Sequence, residues 1–142
     1  MDSREFVAIT KQCAVDEVVE QTVDSLKAPR LPNPLQEPHG PVEQSISQWI
    51  NDRSLVKQHR SEWFNRLTED EQAMIRDILE DCAETAVASF FTLLDGVGGN
   101  YEGVFQIVAI DSANRRNVLN PENTEMLHDI FYEECEKGRR QV

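Results

Sequence analysis

The sequence predicts a mostly α-helical α+β fold with a small antiparallel β-hairpin before the C-terminal helix. Three observations support this class: a capped helical pattern from Thr68 to Leu94, an apolar β-type run from Gly103 to Ile110, and a second helical pattern that starts at Asn120-Pro121. Of the 142 residues, 39% are hydrophobic, which is ordinary for a globular protein. A chain of this length buries about two-thirds of its unfolded surface, enough for a core without disulfides or metals.

The first 40 residues are predicted to form a helix and a proline-rich arm, and residues 41–142 to form an acidic globular α+β domain. Apolar residues from Phe6 to Leu26 follow a loose helical spacing, with Ser3 as a possible cap. The run Phe6–Thr10 could instead be a short strand, because β-branched residues are frequent in strands. Of the two, we favour the helix.

Five of the six prolines lie between Ala28 and Pro41. Proline lacks a backbone donor and pushes the preceding residue out of the helical region, so this stretch can be neither regular helix nor central strand. It is either a packed surface loop or a mobile hinge. Pro41 then opens a helix, and a second short helix is expected from Leu55 to Phe64. Core packing is expected for most of the aromatic residues Trp49, Trp63, Phe64, Tyr101 and Tyr132.

The helix from Thr68 to Leu94 is the clearest element of the pattern. Thr68 and Glu71 form a capping box, in which each side chain binds the backbone near the other. Glycines at 96, 98 and 99 are expected to end the helix and turn the chain. The expected core stripe of this helix consists of Ile75, Ile78, Leu79, Cys82, Ala86, Phe90 and Leu93.

The predicted hairpin begins with a strand over residues 103–110 that is apolar on both faces, so we expect helices to cover it. A turn over 111–116 and a short returning strand over 117–119 follow. Asn120-Pro121 is predicted to cap and open the last helix. The residues of this helix that are expected to face inward are Met126, Leu127, Ile130 and Phe131.

Charge and cysteine content exclude several classes of protein. There are 14 basic and 26 acidic residues, a net charge of −12, which argues against binding to nucleic acid or an anionic membrane. No stretch has the ~20 apolar residues of a membrane helix, and the N-terminus lacks the layout of a signal peptide. Cys13, Cys82 and Cys135 are odd in number and form no C-x-x-C motif. We therefore expect a soluble cytoplasmic protein whose cysteines are small buried hydrophobes.

A search for catalytic motifs gives no catalytic residue. No phosphate-binding glycine loop, nucleophile elbow or H-E-x-x-H motif is present. Glu125 to His128 is a single Glu-x-x-His, whereas a di-iron carboxylate site needs a second copy and two more glutamates. No D-x-D-x-D-G loop for calcium occurs either. We expect no cofactor and no metal, and a protein that is not an enzyme.

Two base-free acidic strips are the feature that most suggests a function. On a helical projection, one strip shares a solvent-facing side of the Thr68–Leu94 helix, and the other shares one side of the last helix. Like charges at i,i+4 destabilise a helix by ~0.2–0.5 kcal/mol per pair, yet this arrangement occurs twice. The residues are Asp70, Asp77, Glu80, Asp81 and Glu84 in the first strip, and Glu122, Glu125, Asp129, Glu133 and Glu136 in the second.

The strips have two interpretations. They are either solvated faces that keep an acidic protein soluble, or a face that meets a positively charged partner. We favour the partner, because two such strips occur in one small domain. An exposed tryptophan near the acidic face would then be a natural hot spot.

Residues 61–136 also resemble a known kind of protein. The features are the capped helix, the segment Phe90-Phe91-Thr92-Leu93-Leu94-Asp95-Gly96, the strand hairpin, and Leu127-His128-Asp129-Ile130-Phe131. In this order they resemble small acidic bacterial immunity proteins and uncharacterised proteins of that kind. The resemblance implies inhibition of a toxin by tight binding and assigns no functional residue.

The sequence therefore favours a non-enzymatic protein-binding module, an immunity- or antitoxin-type inhibitor whose acidic helical face docks on a basic protein. The alternative is a small enzyme or ligand-binding domain with a pocket between the hairpin and the last helix, where Arg115, Arg116 and His128 could meet an anionic ligand. A further hypothesis concerns oligomeric state. The proline-rich arm is long enough for residues 1–40 to exchange with a second copy in a swapped homodimer.

Overall fold

The computed structural model describes residues 1–30, 40–97, 105–121 and 124–139. The described chain is mostly helical, with a two-stranded antiparallel sheet before the C-terminal helix, so the predicted α+β class is confirmed. Two compact units are present: unit 1 joins Met1–Val19 to Ile78–Val142, and unit 2 is Glu20–Asp77. In the described residues, no helix is both long enough and apolar enough to cross a membrane.

The N-terminal segment is helical, as favoured above. Helix α1 covers Ser3–Lys11, a π-helical turn covers Gln12–Asp16, and α2 covers Glu17–Lys27. The predicted cap is wrong by one residue: Asp2 caps α1, and its Oδ1 accepts a 2.8 Å hydrogen bond from the backbone N–H of Glu5. The hydroxyl of Ser3 instead donates to the carbonyl of Leu119, at 2.6 Å. This bond ties the start of α1 to the end of the hairpin.

The core of unit 1 lies between three helices that come from distant parts of the chain. Helix α4 covers Glu69–Leu94 and α5 covers Leu127–Arg139. The ring of Phe91 lies edge-on to Phe6 and Phe131, with centroids 5.9 and 5.6 Å apart. The buried members of this cluster are Val7, Val15, Ala88, Phe91, Leu127, Ile130, Phe131 and Cys135.

Both ends of α4 confirm the sequence prediction. The backbone N–H of Thr68 donates to Glu71 Oε2 at 2.8 Å, and the backbone N–H of Glu71 reaches the Thr68 hydroxyl at 3.3 Å. These bonds lower the pKa of the Glu71 carboxyl. At the other end, Gly96 has a φ of 72°, a conformation that glycine adopts without steric cost. Gly98 and Gly99 lie outside the described residues.

The burial of α4 contradicts the predicted core stripe. Phe90 is 56% exposed and Ile78 51% exposed, and Leu93, Cys82 and Ala86 are exposed as well. Ile75 and Leu79 are only half-buried. The helix instead buries the opposite side in unit 1, where Glu84, Ala88 and Phe91 lie. This side packs against α1 and α5 because it carries its own apolar row: Ala83, Val87, Ala88, Phe91 and Leu94.

The hairpin is shorter and more exposed than predicted. Strand β1 is Val108–Ile110 and β2 is Arg116–Val118, paired antiparallel with Ala109 opposite Asn117. Asp111 organises the turn, since its Oδ1 accepts from the backbone N–H groups of residues 113 and 115, each at 2.9 Å. Ile110 is 57% exposed, so the prediction that helices cover both faces of the strand is wrong. Residues 103 and 104 lie outside the described residues.

The last helix begins six residues later than predicted. Asp95 caps α5 from the end of α4, because its Oδ2 accepts from the backbone N–H of His128 at 3.0 Å. Asn120 does not cap α5; its side chain binds the backbone of Ile107 and Phe105, both at 2.7 Å. The inward positions Leu127, Ile130 and Phe131 are confirmed, and Met126 is 42% exposed.

Unit 2 is built on one long helix. Helix α3 covers Pro41–Phe64 without a break, so the predicted second short helix from Leu55 is wrong. The hydroxyl of Ser61 and the amide of Asn65 both donate to the carbonyl of Lys27, at 3.2 and 3.0 Å, and hold the end of α2. Trp49 and Trp63 are 57% and 48% exposed, contrary to the expected core packing.

The expectation that the cysteines are buried is wrong for two of the three. Cys135 is buried, whereas Cys13 and Cys82 are exposed. The predicted division of the chain at residue 40 stays a prediction, since residues 31–39, which include most of the proline-rich arm, lie outside the described residues.

Candidate functional site

The first of the two predicted acidic strips is divided between the two units. Asp70 and Asp77 are exposed and belong to unit 2, whereas Glu80, Asp81 and Glu84 belong to unit 1. Glu80 is half-buried, and Glu84 is buried with 8% of its surface exposed. The expectation that the whole strip faces solvent is therefore wrong for Glu80 and Glu84.

Glu84 belongs to a polar cluster inside unit 1, which we call the Glu84 cluster: Lys11, Asp81, Glu84, Cys135 and Arg139. The guanidinium of Arg139 lies 2.7 Å from Glu84 Oε2 and 3.4 Å from Asp81 Oδ1. Burial opposes the charge of Lys11, but its 2.7 Å bond to Asp16 and the nearby Cys135 and Glu84 raise its pKa overall. The first strip contains no basic residue in the sequence, but in the fold Lys11 of α1 and Arg139 of α5 lie beside Glu84.

Cys135 in this cluster is a poor nucleophile. Burial, followed by the adjacent Glu84 carboxylate, raises the pKa of its thiol to about 12. A thiol in this state is protonated at neutral pH, whereas nucleophilic cysteines are thiolates in electropositive surroundings. The Glu84 cluster therefore balances charge between packed helices. The sequence gives no signal for this cluster, since its members come from α1, α4 and α5.

The described residues of the second acidic strip are exposed to solvent. These described members, which we call the α5 acidic strip, are Glu125, Asp129, Glu133 and Glu136. The prediction that Glu125 lies on the last helix is wrong, because α5 begins at Leu127, and Glu122 lies outside the described residues. Tyr132 lies on the same side of the helix and is 56% exposed. The strip is opposite the buried face of α5, which carries Leu127, Ile130 and Phe131.

Arg4 of α1 contacts the α5 acidic strip. Arg4 lies 2.6 Å from Glu125 Oε2 and 3.1 Å from Glu133 Oε2, and these carboxylates raise its pKa. Its guanidinium is half exposed, so these contacts are surface ion pairs that stabilise little. Asp129 Oδ1 lies 3.4 Å from His128 Nε2, and Glu136 also has an interaction partner.

His128 and Asp95 form the arrangement that most resembles a catalytic one. His128 Nδ1 lies 2.8 Å from Asp95 Oδ2, and the Asp95 side chain is only 4% exposed. A buried aspartate orients a catalytic histidine in this way when a nucleophile faces the other ring nitrogen. Here Nε2 faces the carboxylate of Asp129 instead. The described geometry therefore favours a capping and packing role.

Two of the three residues proposed for the alternative, an anionic-ligand pocket, have partners of their own: Arg115 and His128. Arg115 is 83% exposed, and its Nε lies 2.6 Å from Asp111 Oδ2 in the same turn. Within the described residues, no group of three or more histidine, cysteine and acidic side chains is arranged to hold a metal ion. No protein-family model, no curated protein and no solved structure matches the chain.

Proposed function

We propose that the chain is a non-enzymatic protein-binding module, an immunity- or antitoxin-type inhibitor, that docks on a basic protein through the α5 acidic strip. The observation that carries the proposal is the exposure of three carboxylates around an exposed tyrosine, Tyr132, on one side of α5, with the exposed Glu125 just before the helix. Tyrosine is enriched among the residues that dominate binding energy, and the surrounding charges select the partner. A toxin such as a nuclease with a cationic active site has the matching charge. Because all three cysteines are free thiols, we propose that binding occurs in the reducing cytoplasm.

Charge in unit 1 supports this choice of strip. Residues 78–142 hold 12 acidic and 5 basic side chains, a net charge of −7. A protein that concentrates one sign of charge associates faster with an oppositely charged surface. The association rate then depends on the salt concentration. The protonated thiol of Cys135 and the engaged ring of His128 support a binding role over an enzymatic one.

A photo-crosslinking experiment tests the proposal. A benzophenone amino acid replaces Tyr132 in the full chain expressed in its native cells, and the crosslinked proteins are identified by mass spectrometry. The captured partner is then purified, and its binding is measured for Asp129→Lys/Glu136→Lys. We expect at least a tenfold loss of affinity, mostly in the association rate, and a loss of salt dependence.

The matched control is Glu17→Lys/Glu62→Lys, which changes the net charge equally at exposed sites on two other helices. The control should bind as the unaltered chain does. Equal losses in both variants would show that only net charge matters, and a neutral or acidic partner would contradict the proposal. Stabilisation by a small metabolite in a thermal-shift screen would instead favour the ligand-binding alternative.

A further inference from the structure

Helix α3 carries a regular row of exposed residues, which we call the α3 seam. Its members recur at alternating steps of four and three residues over three heptads, the spacing of residues that pack between paired helices. Both tryptophans of the chain are in this row. The seam consists of Val42, Ile46, Trp49, Arg53, Val56, Arg60 and Trp63.

The α3 seam is not used inside unit 2. Val42 is 71% exposed, Ile46 47% and Val56 49%, and both arginines are exposed. The side of α3 that is shielded from solvent is mostly polar, and Ser61 and Phe64 are its buried residues. A helix normally buries its apolar row, so an exposed heptad row of this length indicates a partner helix.

Charge within the seam decides what kind of helix fits. Arg53 stacks on the ring of Trp49 at 4.5 Å, and Lys57 lies beside both in a groove of 430 Å³. Arg60 and one carboxylate, Asp52, also line this groove, so its cations outnumber its carboxylates by three to one. In the described part of the chain, neither Arg53 nor Arg60 forms an ion pair with a carboxylate. The seam therefore presents two cations seven residues apart among apolar side chains.

A second copy of this chain is a poor occupant for the seam. In a parallel pair, each of the two arginines would face its own equivalent. In an antiparallel pair, Arg53 lies at the midpoint of the 42–63 seam and would again face itself. Like charges at the centre of such an interface cost free energy and favour a different partner.

We propose that the α3 seam binds an acidic amphipathic helix of another protein, with apolar residues facing the tryptophans and valines and carboxylates facing Arg53 and Arg60. This surface is distinct from the α5 acidic strip, and its partner has the opposite charge. Arginine binds carboxylates bidentately, so the two acidic residues of the partner helix should also be seven residues apart.

A displayed peptide library tests this inference on the full chain. The library holds 21-residue helices randomised at the positions that would face the seam, and it is selected against the unaltered chain and against Arg53→Glu/Arg60→Glu. The unaltered chain should select Asp or Glu at two positions seven residues apart, and the variant should select Lys or Arg there. The control bait Arg115→Glu/Arg116→Glu carries the same change in net charge and should select the same peptides as the unaltered chain.

Tryptophan fluorescence gives a direct readout, because both tryptophans lie on the seam. Saturation with a selected acidic peptide should shift their emission to shorter wavelength and reduce quenching by acrylamide. The Arg53→Glu/Arg60→Glu variant should bind that peptide at least tenfold more weakly, with an unchanged circular dichroism spectrum. If the spectrum changes, Arg60→Gln replaces it and must also weaken binding.

Four results would overturn the proposal. The first is that no peptide is enriched, or that enriched peptides show no acidic preference. The second is that selected peptides bind while both tryptophans stay open to quenching. The third is a dimer of the chain alone with shielded tryptophans, which would make a second copy the occupant. The fourth is stronger shielding by an oligothymidine than by any peptide, which would indicate nucleic acid.

Discussion

Cys135 shows how one buried residue is controlled by its neighbours. Its thiol lies among α1, α4 and α5, where burial and the Glu84 carboxylate raise its pKa to about 12. At pH 8 roughly one molecule in ten thousand would carry a thiolate there. Cys13 and Cys82 are exposed.

We therefore predict two fast thiols and one slow thiol. A disulfide reagent at pH 8 should modify two cysteines of the native chain within seconds to minutes and leave Cys135 intact until the chain is denatured. Cys13→Ser and Cys82→Ser should each remove one fast equivalent, and Cys135→Ser should leave both. Three fast equivalents in the native chain would contradict the burial of Cys135.

Glu84 marks the limit of residue-level prediction from the sequence. Projection on a helix shows which residues share a side, and it correctly places Asp129, Glu133 and Glu136 on the exposed side of α5, whereas Glu125 precedes the helix. It cannot show that Arg139 from another helix lies 2.7 Å from Glu84. Charge reversal at Glu84 would bury a lysine beside Lys11, so this residue is unsuitable for testing a docking surface.

At the scale of elements, α4 explains why the predicted burial was reversed. The helix has two apolar rows: the predicted stripe through Ile78 and Phe90, and the row through Ala83, Val87 and Phe91. Amphipathicity alone does not choose between them, because both satisfy helical spacing. The packing of α1 and α5 against the second row decides, and it joins residues distant in sequence: Phe91 meets Phe6, 85 positions away, and Phe131, 40 positions away. By contrast, the capping box and Gly96 depend on local sequence and were predicted correctly.

The adjacent residues Phe90 and Phe91 test which side of α4 is buried. Phe91 is fully buried and Phe90 is 56% exposed. Phe91→Ala should lower the free energy of unfolding by about 3–5 kcal/mol, as expected for a large residue removed from a core. Phe90→Ala should change it by about 0.5 kcal/mol or less. Chemical denaturation followed by circular dichroism measures both, and the reverse order of losses would support the stripe predicted from the sequence.

At the scale of the whole molecule, unit 1 is assembled from two segments that are distant in sequence, 1–19 and 78–142. Val7 and Val15 from the first segment are completely buried in the core of the second. The first segment is therefore part of the core, and deleting residues 1–40 should unfold unit 1. Truncation is thus a poor test for the exchange of this segment between copies.

We predict that the chain forms a swapped homodimer through residues 1–40. The full chain, rather than a truncated one, is used to test this prediction. Thirteen residues separate α2 from α3, and a segment of that length can reach roughly 40 Å at the ~3.1 Å per residue of polyproline geometry, enough for residues 1–19 to complete unit 1 of a second copy. Light scattering at micromolar concentration should give twice the chain mass of 16.3 kDa. Arg4→Cys/Glu125→Cys, in a chain whose three native cysteines are serines, places two exposed thiols at positions whose native side chains meet at 2.6 Å. Because that distance joins the ends of two long side chains, a short bis-maleimide rather than a disulfide is used to link the two cysteines. The crosslinker should give a covalent dimer on a denaturing gel if residues 1–19 are exchanged, whereas a monomeric mass or a crosslink within one chain would rule the exchange out.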